Sequence, residues 1–279
     1  MIYSLKQVSK VYNSRHGKVR ALDRLTFDVQ PGERVALLGP SGAGKTTLFR
    51  LLNATLRPTR GVLFFGGADV GALSGKQLRA ARRRIGTIYQ QHQLVPSLTT
   101  LENTLCGKLG SWSLLHTIRS VFQPSRSEIE QAMAALESVG LAEKRRARAD
   151  ELSGGQQQRL AIARVLMQDP QVILADEPFA SLDPALTETV ASLLLGLVQN
   201  GKRTLVATLH DIDLALRYFP RIIALRDGSV VFDTTPREVS REVLAALYAT
   251  ESAAERGEIG DERARNEKGE PNCEPGCAR

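Results

Sequence analysis

Short apolar runs alternate with longer stretches in which apolar residues recur every three or four positions, and this alternation fills most of the chain. Val35, Ala36, Leu37 and Leu38 form an unbroken apolar run, the pattern of a strand covered on both faces. It leads into a glycine-rich turn and then a helical pattern that starts near Lys45. Similar runs occupy residues 62–65, 85–89, 172–175, 205–208, 222–225 and 230–232. Helical patterns lie between several of them. Over residues 128–139, Ile129, Ala132, Met133, Leu136 and Val139 share one apolar face. Strands alternating with helices predict an α/β domain with a largely parallel central sheet. The start of the chain differs. Residues 2–8 and 25–29 read as strands, with the turn pair Pro31 and Gly32 after them, which predicts an additional antiparallel part. No internal repeat is visible. After about Ala249 the periodicity stops and Glu, Arg, Gly and Asn dominate, so residues 250–279 read as a disordered polar tail.

Composition narrows the classes. The 279 residues are 42% hydrophobic and 24% charged, which excludes wholesale disorder and allows a sizeable core. Apolar runs such as residues 192–198 fall far short of the ~20 residues of a membrane-spanning helix. Residues 1–6 lack a basic segment followed by an apolar one, so the expectation is a protein that stays where it is made. Three cysteines cannot build a disulfide framework for this length, and Cys273 and Cys277 lack the neighbours a metal site needs. The net charge is +7, but residues 251–279 hold five basic and eight acidic residues, a net −3 that leaves +10 on the rest. A basic body suits an acidic partner: nucleotide, nucleic acid or a lipid surface.

The order of residues selects the nucleotide. Gly39, Pro40, Ser41, Gly42, Ala43, Gly44, Lys45 and Thr46 fit G-x-x-x-x-G-K-[ST], with a buried strand before them and a helix after. The glycines let successive N–H groups converge on one anion at a helix start. Lys45 would reach the β- and γ-phosphates, the Thr46 hydroxyl would ligate Mg²⁺, and Thr47 stands beside it. A second half-site ends the run at residues 172–175 with Asp176 and Glu177. Asp176 can hold Mg²⁺ directly or through a water, and Glu177 can orient and polarise the attacking water.

Between these halves stands Leu152-Ser153-Gly154-Gly155-Gln156-Gln157-Gln158-Arg159. With it the chain resembles the ATP-binding cassette family, the motor ATPases of ABC transporters. The resemblance spans about residues 2–249, with Tyr12, the phosphate loop, Gln90, the Ser153 segment, Asp176 and Glu177, then Ser181, Leu182, Asp183 and His210 in the family's order. It implies a P-loop NTPase cassette over residues 1–249: a RecA-like parallel core, an antiparallel β subdomain and a helical signature subdomain over about 91–165. Tyr12 is then expected to stack on adenine. Gln90 would touch Mg²⁺ and the attacking water, and His210 would hold the γ-phosphate and that water. Two copies would pack head to tail, so that Ser153, Gly154, Gly155 and Gln156 of one meet the γ-phosphate on Lys45 of the other. Asp183 would couple the two sites. The local chemistry agrees for Ser153, which opens a helix with two glycines after it, a second anion site.

One cassette with no membrane segment resembles the separate subunits of prokaryotic importers. These sit on the cytoplasmic face of the inner membrane beneath integral membrane permease subunits, which a solute-binding protein feeds. Residues 107–121, together with Arg148, Ala149, Asp150 and residues 208–215, resemble the phosphonate importer ATPases. Phosphite, phosphate, an amino acid or a lipid remains open as the solute. Trp112, Leu114, Leu115, Ile118 and Val121 suit either contact with a partner or internal packing. Arg79, Arg82, Arg83 and Arg84 suit lipid headgroups or a solvated helix face. Two other classes fit less of the sequence. Soluble cassettes acting on nucleic acid carry two cassettes or long coiled coils, so no specific nucleic acid is expected. A small-molecule kinase leaves Ser153 and His210 without a role.

Overall fold

The computed structural model describes residues 1–14, 17–113, 116–117, 119, 123–180, 182–199, 201 and 203–248. The tail, with Cys273 and Cys277, lies outside them, as do Leu114, Leu115, Ile118, Val121 and Ser181. The chain forms two compact units, one of residues 1–238 and one that begins at Val239.

In chain order the first unit opens with β1 (Tyr3–Ser14), β2 (Gly17–Val29), β3 (Arg34–Leu38) and α1 (Lys45–Leu52). Next come β4 (Arg60–Phe65), β5 (Ala68–Asp69), α2 (Gly75–Arg83) and β6 (Ile85–Ile88). The α-helices that follow among the described residues include α3 (Thr100–Leu105), α4 (Arg126–Ser138) and α5 (Gly154–Gln168). The unit closes with β7 (Val172–Asp176), α6 (Pro184–Val198), β8 (Thr204–Thr208), α7 (Ile212–Tyr218), β9 (Arg221–Arg226) and β10 (Ser229–Thr234). The described part of the second unit holds the helix α8 (Arg241–Tyr248).

Both sheets match the hydrophobic pattern. The antiparallel sheet has the order β2-β1-β4-β5. Strict alternation cannot bury both Leu5 and Val8, yet both are buried. A bulge between them, with Gln7 at φ 53, shifts the phase by one residue and turns Val8 back to the core. The larger sheet has the order β10-β9-β3-β8-β7-β6, parallel throughout except for β10. Its inner strands β3, β7 and β8 are buried almost end to end, which is why they read as unbroken apolar runs. Edge strand β10 alternates, and Val231 is exposed.

The main core joins the two sheets through α1, with Tyr3, Leu5, Leu37, Phe49, Leu52, Leu174 and Val206 in one cluster. A separate small core of Leu105, Ala132 and Met167, with Leu101 against it, binds α3, α4 and α5 together. Helix α4 starts two residues before the apolar pattern does, because Ser125 and Glu128 form a reciprocal cap. Its Ala132, Leu136 and Val139 are buried, while Ile129 and Met133 are half-buried. Two of the four arginines around α2 have partners in the fold. Arg82 donates to the Ala54 carbonyl at 2.8 Å, and Arg84 stacks on Phe65 at 4.9 Å while donating to Gln171.

One side-chain bond ties the antiparallel sheet to the helix after the phosphate loop. The fully buried Tyr3 hydroxyl donates to the Leu52 carbonyl at 2.8 Å, and burial pushes the phenol far above its ordinary pKa. Tyr3→Phe leaves that carbonyl without its partner. Chemical denaturation is expected to show a loss of about 1–3 kcal/mol, the usual penalty for an unpaired buried polar group.

Candidate functional site

The phosphate loop leaves β3 where that strand is buried between β8 and β9. Gly39 makes the turn possible. Its φ is 150°, and a Cβ there would meet the Leu225 carbonyl oxygen at 2.2 Å, so a larger residue cannot fit. Gly44 takes a left-handed conformation at the N-cap of α1, and no side chain caps the helix. The first-turn N–H groups are thus left to a ligand, the arrangement by which helix starts hold phosphate. Lys45 is 7% exposed, and its ammonium donates to the Gly39 and Pro40 carbonyls of its own loop. A cation held out of water in this way favours an anion beside it.

Residues 40–47 line a cavity of about 320 Å³ together with Glu177 and His210. Strand topology explains the meeting. β7 and β8 lie side by side in parallel, with Asp176 opposite Thr208, so both end at the same edge of the sheet as β3. Glu177 then takes φ 49, a left-handed conformation that non-glycine residues adopt at a cost, and this turns the chain out of the sheet. Its backbone N–H is held by Thr208, at 3.0 Å from the hydroxyl and 3.2 Å from the carbonyl oxygen. The Glu177 Oε1 and His210 Nε2 atoms are 2.7 Å apart.

Asp176 is half-buried and accepts a hydrogen bond of 2.7 Å from the Thr208 hydroxyl. Burial pushes its carboxyl above the usual carboxylate range. The Thr208 hydrogen bond pulls it back, the Glu177 charge raises it, and Lys45 and Arg50 lower it. Thr46 and Asp176 present only hard oxygen atoms. No group of three or more His, Cys, Asp or Glu that could hold a metal exists among the described residues. Mg²⁺ needs no such cage, since it keeps waters and takes one or two protein oxygens plus phosphate oxygens. The donor set therefore fits Mg²⁺.

Other expected site residues stand apart from this cavity. Tyr12, on β1, is half-buried with the Lys10 ammonium 5.5 Å from its ring centroid. Gln90 is exposed just beyond β6, whose Ile88 pairs with Ala175 of β7, so it starts from the same sheet edge as Asp176. Ser153 caps α5 in a reciprocal box with Gln156, and Gly154 has open space where a side chain would be. Gly155 packs on α6, where a Cβ would come within 2.2 Å of the tip of the Leu186 side chain and make it shift. Asp183 caps α6, its carboxylate accepting from the Leu186 N–H at 2.9 Å.

Three residues that the sequence pattern passes over connect these parts. Thr208 ends an apolar strand with a hydroxyl, the one signal that could have marked it. Gln158 of α5, 2% exposed, donates to the Pro178 carbonyl at 3.0 Å, just after Glu177. Arg164 of α5 donates to the carbonyls of His92 and Gln93 at 2.8 and 2.6 Å. Those two residues follow Gln90 in left-handed conformations. Of the stretch at residues 107–121, the half-buried Trp112 lines an open cavity of about 690 Å³ with Arg79, Arg82, Arg83 and Arg164. Arg82 and Arg164 there are also committed to backbone carbonyls.

Comparison with known proteins adds a family match, two relatives and a solved structure. Residues 22–180 match the protein family described as ABC transporter. The phosphonates import ATP-binding protein PhnC of Pseudomonas putida is 42% identical over 240 residues, 86% of this chain and 88% of that protein. The protein of the same name from Anaeromyxobacter dehalogenans is 46% identical over 86% of this chain, which spans about half of that relative (47%). Among solved structures, a dimeric ATP-binding cassette in a post-hydrolysis state bound to ADP and Pi has a TM-score of 0.73 at 33% identity. The match covers 85% of this chain and all (100%) of that one.

Gly39→Ala tests the loop geometry. A backbone clash and a strained φ together are expected to lower stability by about 1–3 kcal/mol in a urea melt, with weaker nucleotide binding.

Proposed function

The chain belongs to the ABC transporter family, and on that premise we propose that it is the ATP-hydrolysing subunit of an importer for phosphonates or closely related phosphorus oxyanions. The reaction is ATP plus water to ADP plus phosphate. The observation that carries the hydrolysis is the single cavity shared by the phosphate loop, Glu177 and His210. Lys45 and the first-turn N–H groups of α1 hold the β- and γ-phosphates. Thr46, Asp176 and Gln90 would hold Mg²⁺, which would neutralise part of the charge that develops on the phosphates. Glu177 orients the attacking water and takes its proton, and His210 holds Glu177 and the γ-phosphate in register. Chemistry of this kind is mostly placement and electrostatics, which fits groups fixed at strand ends.

The remaining assignments extend the same reading. Tyr12 stacks on adenine. Ser153, Gly154, Gly155 and Gln156 close on the γ-phosphate held by a second copy, and Asp183 lies at that junction. A dimeric neighbour bound to ADP and Pi supports this pairing. The phosphonate assignment rests on the names of relatives at 42% and 46% identity. Integral membrane permease subunits are the further partners, with a solute-binding protein acting through them. No helix among the described residues is long and apolar enough to cross a membrane. A peripheral position on the cytoplasmic face of the inner membrane accords with that.

Glu177→Gln is expected to keep ATP binding while steady-state phosphate release falls by about 100-fold or more, the scale of a lost general base. Light scattering should then show an ATP-dependent dimer that persists. A variant that turns over normally and stays monomeric with ATP would remove Glu177 from this role. For the solute, a deletion strain carrying the intact gene should grow on phosphonate or phosphite as the phosphorus source, whereas one carrying Glu177→Gln should not. Equal growth of both strains and of the uncomplemented deletion on these sources would overturn the solute assignment.

A further inference from the structure

We propose that Thr208 is a positioning residue for hydrolysis, its hydroxyl fixing the Asp176 carboxylate for the metal and the Glu177 backbone for the attacking water. The proposal rests on the ATPase reading above and deepens it. Thr208 is fully buried at the end of β8, after the apolar Leu205, Val206 and Ala207. A hydroxyl in such a place needs partners, and it has one proton to give and lone pairs to receive with. The proton goes to Asp176 Oδ1 at 2.7 Å. The lone pair receives the Glu177 N–H at 3.0 Å. One side chain thus links the backbone of the water-activating residue to the carboxylate of the metal-binding residue.

The direction of these bonds matters. The Glu177 N–H polarises the hydroxyl, which strengthens the bond it donates to the carboxylate. With Oδ1 engaged, the Asp176 plane is set and Oδ2 is the oxygen not taken by Thr208. The same contact pins the left-handed turn at Glu177, together with the Thr208 carbonyl. Outer groups that orient a metal ligand commonly account for 10–100-fold in metal affinity or activity. Both hydrogen bonds of the Thr208 hydroxyl go to Glu177 and Asp176. It acts through Asp176 and Glu177.

The test compares wild type, Thr208→Val and Thr208→Ser. Valine keeps the shape and suits a strand, while serine restores the hydroxyl. Two readouts are taken against Mg²⁺ concentration: the rise in Tm on adding ATP, and phosphate release. Thr208→Val should raise the Mg²⁺ half-saturation of both about tenfold and lower kcat at saturating Mg²⁺ about tenfold. Its affinity for ATP in EDTA should equal that of wild type, and Thr208→Ser should return both values to within about twofold of wild type. A purely structural hydroxyl would lower Tm without moving the Mg²⁺ dependence. Wild-type Mg²⁺ dependence in Thr208→Val, or no recovery in Thr208→Ser, overturns the proposal. Absence of phosphate release from wild type would overturn the hydrolysis reading alone, since the Tm arm still decides Thr208.

Discussion

A parallel sheet buried on both faces can carry polar side chains only where its strands end, and that constraint organises this protein. Strands β3, β7 and β8 are apolar almost throughout. The phosphate loop follows β3, Asp176 ends β7 with Glu177 directly after it, and Thr208 ends β8 two residues before His210. Because the strands run in parallel and in register, these ends fall at one edge. Ligands of open α/β sheets bind at such edges for this reason. The site is a consequence of burying everything else.

Backbone conformation then converts proximity into geometry. Gly39 lets the loop turn against the Leu225 carbonyl. Glu177 leaves β7 through a left-handed turn that brings its carboxylate within hydrogen-bond distance of His210. Both are costly conformations for ordinary residues, kept because the surrounding bonds over-determine them. At Glu177 that restraint is Thr208, which takes the backbone N–H with two acceptors.

Helix α5 is the element that connects the rest. Its start is the capped Ser153 segment, with Gly155 closely packed on α6. Gln158 reaches the turn after Glu177, and Arg164 grips the strained residues after Gln90. The helix thus touches its own capped start, the turn after Glu177 and the residues after Gln90 at once. Its other face belongs to the small core with α3 and α4, separate from the core around α1. The Arg-lined cavity beside Trp112 opens next to Arg164, on the same helix.

Much of this was legible in residue order. Residues 39–46 announce a phosphate loop because its chemistry is local: consecutive N–H groups, glycines and a lysine within eight positions. The buried strands were legible because burial on both faces leaves no polar positions to alternate with. Ser153 was legible as a helix start because capping acts over three residues. The tertiary structure decided what depends on contacts between distant segments. Gly155 packs against Leu186 of another helix, and Leu5 and Val8 share one face only through a bulge. Thr208 serves residues 31 and 32 positions away across a strand pair, and the hydroxyl that ends its apolar strand does not say which partners it meets. The sequence by itself supplied the reactive groups and the elements that carry them. Their distances, and the residues that hold them in place, come from strand register and packing, which no local pattern records.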